Sequence, residues 1–332
     1  MEKGLNFFKK SLKYFDDYQT GLAAVVIKEG QVIYEKYTGY ANLEYQIPVE
    51  KDTIFHISSM TKQFTAMLII QLVEEGLLSY DQELTDFYPQ LFYAQGVTIK
   101  DLLNHTTGLV DPYEYYSDNN LNYYGLDNQD VLDILLKDNS LRFEPGSKFE
   151  YCNSNYILLA FIAEEICDKS YKELLKERIF TSLDMENSTV YDGLVVDNRA
   201  YGYKFDDDKY YITDYQWLTY GDGGIMSTVE DLILWDQALY SNQLISEESL
   251  EKAFRAGTPE RERSIGYGFG WVVDHQYDFK VLRHAGGDDG FGSTIWRIPE
   301  LELTFILLSN LDGSWRKLAD IMVKTAEILK QS

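Results

Sequence analysis

The chain is short of several things that would narrow its class at once. It holds two cysteines in 332 residues, Cys152 and Cys167, too few for a disulfide framework. Both fall in or beside one predicted helix, so two separate buried thiols are expected rather than a bridge. There are four histidines, and none is paired with a carboxylate at ligand spacing. No metal site and no cofactor are therefore expected. Uninterrupted apolar runs of the length that spans a bilayer, about 18 residues or more, do not occur. Positive charge is in deficit: 30 Lys and Arg stand against 54 Asp and Glu, a net charge of −24. Phosphate-rich partners would be repelled, which argues against nucleic acid and anionic membrane surfaces. Proline is scarce and tyrosine abundant (6 against 27), but neither count points to a function.

What is there suits a large folded chain. Hydrophobic residues make up 45% of the chain, enough for one large core or two domains. In the first twenty residues Leu5, Phe8, Leu12 and Phe15 recur at helical spacing among lysines and acids. That is a surface helix rather than a signal peptide, and the chain as given is expected to be cytoplasmic.

GLAAVVIKEGQVIYEKYTGY predicts two strands around a turn at Lys28-Glu29-Gly30. Ser59 to Glu75 predicts a helix stopped by Gly76, apolar nearly all round and so buried centrally. Helical patterns dominate 80–185, and 186–222 predicts an irregular cover over a cleft. Within the cover, Asp206-Asp207-Asp208 suggests a solvated turn, with calcium binding a lesser option. From Gly268, FGWVVDH, KVLRHAG, FGSTIWRI and LTFILLSN predict strands, and LADIMVKTAEIL a closing helix.

Strands at both ends and helices in the middle imply an α/β fold of the α+β type. Both chain ends would build one antiparallel sheet, flanked by the terminal helices, with a helical insertion. The expected division is a discontinuous sheet domain, 1–56 with 222–332, and a helical domain, 57–221. The site is expected in the cleft between them.

Three short motifs carry candidate chemistry. Ser-x-x-Lys occurs at Ser59–Lys62, Ser249–Lys252 and Ser314–Lys317, so spacing alone cannot choose. The second and third open charged amphipathic segments, where N-capping is a sufficient role. Ser59–Lys62 opens the buried helix, where a serine and lysine three apart share a face. Burial and the positive helix end would press the lysine toward its neutral form, fit to activate a hydroxyl. Ser58 fails the spacing, because Thr61 stands three residues on.

Tyr-x-Asn occurs at Tyr40, Tyr151 and Tyr240. Tyr151-Cys152-Asn153 follows a Pro145-Gly146 turn that can aim it into the cleft. It suits a proton relay and an amide-recognising side chain, or else a core tyrosine with a helix cap. His284-Ala285-Gly286-Gly287 contains the one His-x-Gly in the chain. It ends a predicted strand, either to let a substrate backbone approach or as a bulge with a structural histidine.

In this order the boxes resemble those of the serine β-lactamase and penicillin-binding-protein superfamily, in its class C-like branch. TIFHISSMTKQFTA, VTIKDLLNHTTGL, FEPGSKFEYCNSNYILLA, GDGGIMSTVEDLILW and HAGGDDGFGS each resemble family segments. They cover most of the chain from about Thr20 to Asn310. The resemblance implies a β-lactamase/transpeptidase-like fold and a serine hydrolase acting on esters, amides or short peptides. It implies Ser59 as the nucleophile that becomes acylated and Lys62 as its base or electrostatic partner. Tyr151 would shuttle a proton to the leaving group and then activate water. Asn153 would bind the acyl side of the substrate, and His284 would stand where β-lactamases have lysine and support Tyr151. The amides of Ser59 and Gly287, beside Gly286, would form the oxyanion hole.

Three positions depart from the pattern. His-Ala-Gly replaces Lys-Thr-Gly, which argues against efficient antibiotic hydrolysis. Cys152 replaces a small residue and is expected to pack away from the site. Asp288-Asp289 follow the third box, where a substrate carboxylate would be repelled and a neutral ester or free amine favoured. The competing reading has both carboxylates in solvent. The other function classes are a β-lactamase, a D-alanyl-D-alanine carboxypeptidase and a non-catalytic scaffold. His105 is expected to be structural, bonding its own turn, and Tyr113, Tyr115, Tyr116 and Tyr201 to Trp217 are expected along the cleft.

Overall fold

The computed structural model describes residues 1–213, 218–257 and 264–330. Asp214 to Trp217, the end of the expected cleft-lining stretch, lie outside the described residues.

Strand Leu22–Lys28 pairs antiparallel with its hairpin partner Gln31–Thr38 on one side and with Leu303–Ser309 on the other. That second pairing joins the two chain ends. Phe291–Ile298, Val281–Asp288, Val272–Asp274 and Ile265–Tyr267 continue the sheet to seven antiparallel strands. The expected sheet of both ends is thus present, and its first late strand begins slightly before Gly268.

Alternation along LAAVVIK sorts residues to two buried faces, which is why the run is apolar throughout. Leu22, Ala24 and Val26, with Trp296, Phe305 and Leu307, meet Phe8, Leu12 and Phe15 and also Leu318, Ile321 and Met322. These last come from the segment 2–17 and from the closing helix Ser314–Lys330. Gly4 lets the two ends approach: a Cβ there would lie 2.7 Å from Leu329.

Ala23, Val25 and Ile27 join the larger core on the opposite face, together with Phe64 and Leu68 of helix Thr61–Glu74. Thr61 to Leu72 are all buried, as an all-round apolar pattern requires. Trp235 stacks on Phe64 at 4.2 Å between centroids and donates to Gln63. Gly76, at φ +72°, follows the helix end in the left-handed conformation that glycine takes at no steric cost.

Two expectations need correction. Residues 186–222 are not wholly irregular: Tyr203–Asp206 and Lys209–Ile212 pair as a hairpin. Its turn, Asp207 and Asp208, has φ of 50° and 58°, a conformation that short polar side chains tolerate. In the decoy Ser249, the cap of helix Glu247–Ala253 is instead Ser246, which accepts from the Ser249 amide. No described helix is long and apolar enough to cross a membrane.

Candidate active site

Four chain segments meet at the mouth of helix Thr61–Glu74. The first is its own approach. His56 lies in a short strand, Phe55–His56, paired to Ile225–Ser227. Ser58 then takes φ +50°, uncommon for a residue with a side chain. This sharp corner turns residues Ser58–Met60 into a tight 3-10 turn before the α-helix begins at Thr61. The helix thus starts two residues later than its sequence suggests. The corner is held from inside: the Ser58 amide donates to His56 Nδ1 at 3.1 Å. His56 is buried, and burial with Arg199 nearby lowers its pKa to about 3, so it stays neutral. Neither His56 nor Ser58 was assigned this role from sequence. Strain at Ser58 has no sequence signal, since the residue is not glycine.

Lys62 is fully buried. Its Nζ lies 3.2 Å from Ser59 Oγ, 2.8 Å from Asn153 Oδ1 and 2.8 Å from the Asp222 carbonyl. Three oxygens thus surround Nζ, and of these the Ser59 hydroxyl can accept from an ammonium or donate to a neutral amine. The same Nζ stands 4.8 Å from the Tyr151 ring centroid.

The second segment carries Tyr151 and Asn153. Gly146, at φ +74°, donates to Thr106, and Glu150 donates to His105, so the expected turn does fold back. Asn153 opens helix Asn153–Cys167. Its amide and its Nδ2 both donate to Asp111 Oδ2, at 2.7 and 2.8 Å. Burial raises the Tyr151 pKa, while Lys62 and Ser59, both facing its hydroxyl, pull it back. The net shift is upward, so the cation offsets burial without overcoming it. Cys152 points away, toward the Leu109 carbonyl, and burial pushes its thiol pKa up.

His105 is structural, but its bonds reach across rather than into its own turn. Its Nδ1 receives the Cys152 amide at 3.2 Å and Asn155 Nδ2 at 3.1 Å. Its ring lies against Tyr151 at 4.4 Å.

The third segment is the strand end His284–Asp288. Gly286 and Gly287 are required by the protein's own packing. A Cβ on Gly286 would strike Ile57, Ser58 and Ser293, and one on Gly287 would strike Trp315. His284 is buried, with Nε2 2.9 Å from Tyr267 Oη and Nδ1 2.8 Å from the Ala285 carbonyl. Burial and Lys62 lower its pKa to about 3.

The fourth is Asp222, which sequence reasoning passed over. Its Oδ2 accepts from Tyr113 Oη at 2.9 Å, while Oδ1 has no partner among the described residues. Tyr113 is therefore at the site, as expected, whereas Tyr115 and Tyr116 pack half-buried against the core. Burial raises the Asp222 pKa, and Asp111 adds to it. Asp288 is raised well above the usual carboxylate range, by burial first and then by Asp222 and Asp289. Its residue is only partly buried, and Asp222 is among the charges that act on it. Among the described residues no cluster of His, Cys, Asp and Glu is arranged to hold a metal.

The chain matches known proteins along most of its length. Residues 13–326 match the family described as Beta-lactamase. The chain belongs to that family. A penicillin-binding protein of Bacillus subtilis is 33% identical over 312 residues, covering 89% of this chain and 69% of that protein. A D-aminopeptidase of Brucella anthropi is 26% identical over 313 residues, 90% of this chain but 58% of its own length. The octameric penicillin-binding protein homologue from Pyrococcus abyssi superposes with a TM-score of 0.87 at 26% identity, over 99% of this chain and 78% of that one. As a beta-lactamase-family member the chain is a serine hydrolase, and its mixed α/β fold with an antiparallel sheet is the family's.

Proposed function

We propose that Ser59 is the nucleophile of an acyl-enzyme mechanism acting on esters or amides. The observation that carries this reading is Lys62 Nζ, buried and 3.2 Å from Ser59 Oγ, with Asn153 and Asp222 holding it from behind. Ser59 Oγ attacks the substrate carbonyl and gives its proton to Lys62 in its neutral amine form, which passes one on to Tyr151 as Tyr151 gives up its own. Negative charge on the carbonyl oxygen is met by the amides of Ser59 and Gly287. Tyr151 delivers the proton to the leaving group, the carbonyl–leaving-group bond breaks, and the acyl group stays on Ser59. Water then attacks the acyl carbon, its proton passes by way of Tyr151 to Ser59 Oγ as the acyl–oxygen bond breaks, and the acid and free Ser59 are released. Asn153 orients Lys62 and offers its amide to the acyl side. His284 packs beside Tyr151 and keeps its surroundings uncharged. The division into a sheet part, 1–56 with 222–332, and a helical part, 57–221, belongs to the same proposal: both parts supply site residues. A cytoplasmic location is proposed as well, and cell fractionation checks it.

The substrate class follows from charge. Asp222 adds to the raised pKa of Asp288, so negative charge is disfavoured there, and among the described residues Asp222 Oδ1 has no partner. A substrate ammonium would relieve that repulsion, and a substrate carboxylate would add to it. Neutral esters and amides or peptides with a free amine are therefore favoured over penicillins and D-alanyl-D-alanine ends. A relative described as a D-aminopeptidase is in keeping with this.

The test is a panel of p-nitrophenyl esters, amino-acid amides and nitrocefin on wild type, Ser59→Ala and Asp288→Asn. Turnover lost in Ser59→Ala supports the nucleophile. Absence of turnover together with absence of labelling by a fluorescent phosphonate would favour a scaffold instead. Asp288→Asn is expected to raise turnover of an anionic acyl ester relative to a neutral one. An unchanged ratio would sink the charge argument.

A further inference from the structure

His284 and its bonds hold information about proton traffic that the three boxes do not. The Ala285 carbonyl can only accept, so His284 Nδ1, 2.8 Å away, carries a hydrogen. A neutral imidazole then has one lone pair left, on Nε2. Tyr267 Oη, 2.9 Å from Nε2, must donate to it. Tyr267 is 2% exposed, and its ring lies 4.6 Å from His105, 5.8 Å from His284 and 6.1 Å from Tyr151.

His105 shows the opposite arrangement. Its Nδ1 receives two N–H donors, so its hydrogen is on Nε2. Asn155 is oriented for this, because Thr107 donates to its Oδ1 at 2.7 Å. Two neutral imidazoles of opposite tautomer therefore flank Tyr151, with Tyr267 between them.

We propose that Tyr267 is a positioning residue of the acylation site: by donating to Nε2 it holds, together with the Ala285 carbonyl at Nδ1, the tautomer and orientation of His284, and through that ring the seat of Tyr151. The proposal rests on the reading of Ser59 and Tyr151 as the reacting pair. With both nitrogens engaged, His284 cannot exchange a proton with Tyr151, so the proton cycle stays among Ser59, Lys62 and Tyr151. The neutral ring also avoids adding a second cation next to Lys62. The other groups facing it are Arg283 on its own strand, His105, Tyr151 and Tyr267. Without the Tyr267 hydroxyl, a buried lone pair is left unmatched, and the ring must turn or take a proton.

The experiment uses the full chain labelled with 15N-histidine. In wild type the His284 signals, assigned with His284→Gln, are expected to show a single Nδ1–H tautomer across neutral pH. Tyr267→Phe is expected to lose that single tautomer and to lower kcat about tenfold, the scale of one lost buried hydrogen bond, with KM little changed. In the His284→Gln background the same Tyr267→Phe change is expected to add little, because its effect runs through His284. An Nε2–H tautomer in wild type overturns the proposal, even if Tyr267→Phe fails to fold. So does a Tyr267→Phe protein that keeps both tautomer and kcat, or an equal loss in both backgrounds. The tautomer measurement needs no substrate. Failure of the hydrolase reading would instead appear as unlabelled, inactive wild type with its His284 tautomer intact.

Discussion

Asp111 and Asn153, 42 residues apart, are joined by two hydrogen bonds to a single carboxylate oxygen, from the backbone amide and the side-chain amide of Asn153. The other oxygen of Asp111 caps helix Pro112–Asp118 by accepting from the Tyr113 and Glu114 amides. One aspartate thus starts two helices and aims the Asn153 carbonyl oxygen at Lys62.

Asp111→Ala should therefore lower both activity and stability. Bonds to a charged group are worth about 1.5–3 kcal/mol, so kcat/KM is expected to fall roughly 10- to 100-fold. Lost capping adds about 1 kcal/mol to the cost in urea denaturation. Asp111→Asn keeps a capping oxygen and should recover most of the stability but less of the activity. Equal recovery of both would show that Asp111 only holds the fold.

Ser58 and Ser59 make opposite predictions although they are adjacent. Ser59→Ala should abolish labelling by a fluorescent phosphonate, and Ser58→Ala should label at a rate close to wild type. Ser58→Gly should be tolerated, since glycine takes φ +50° freely. Ser58→Val should cost about 1–3 kcal/mol, because a β-branched side chain resists that corner. Thermal melts of the three Ser58 variants test the strain separately from the chemistry.

Acid stability should depend on His56. Its folded pKa of about 3 lies below the ordinary value of 6.5, so between those values the unfolded chain binds a proton that the folded chain does not. Stability from this group therefore falls as pH falls through that window, by up to about 1.4 kcal/mol per unit. Asp222 and Asp288 work the other way: their raised folded pKa gives stability at low pH that is lost as pH rises. A difference experiment isolates the histidine. Between about pH 6 and pH 4, wild type should lose about 2 kcal/mol more than His56→Gln. Parallel stability curves would refute the assignment.

A buried ion pair between the large sheet and helix Val229–Ala238 offers a stability test remote from the site. Arg297 and Asp236 meet at 2.5 Å with side-chain exposures of 1% and 2%, and Thr304 also donates to Asp236. Asp236→Ala strands a buried guanidinium and should cost about 3–5 kcal/mol. Replacing both partners, Asp236→Leu with Arg297→Met, should cost less than the single change. Urea midpoints of the two variants decide; a double variant worse than the single would contradict the desolvation argument.

Much of this was legible in local pattern. The apolar run after Ser59 announced a buried helix, and only a buried helix could choose Ser59–Lys62 over Ser249–Lys252 and Ser314–Lys317. Strand runs such as LAAVVIK and LTFILLS were apolar on both faces, which marked them as covered on both sides. What local pattern missed was reached through space. Asp222, His56 and Tyr267 carry no motif of their own, because each matters only for the group it faces across the fold. His105 was read as bonding its own turn, yet its acceptor nitrogen serves Cys152, 47 residues on.

Sequence by itself determined the order of the boxes and the sheet built from both chain ends, and it proposed Ser59 over Ser58. Periodicity and spacing are properties of neighbouring residues, and neighbours are what a sequence records. Only the tertiary structure decided where the polar groups went: the Asp222 carbonyl onto Lys62, Asp111 onto Asn153, and both nitrogens of His284 turned to Tyr267 and Ala285. Hydrogen bonds and charge interactions act over a few ångströms of space, and that proximity exists only once strands and helices distant in the chain have packed together.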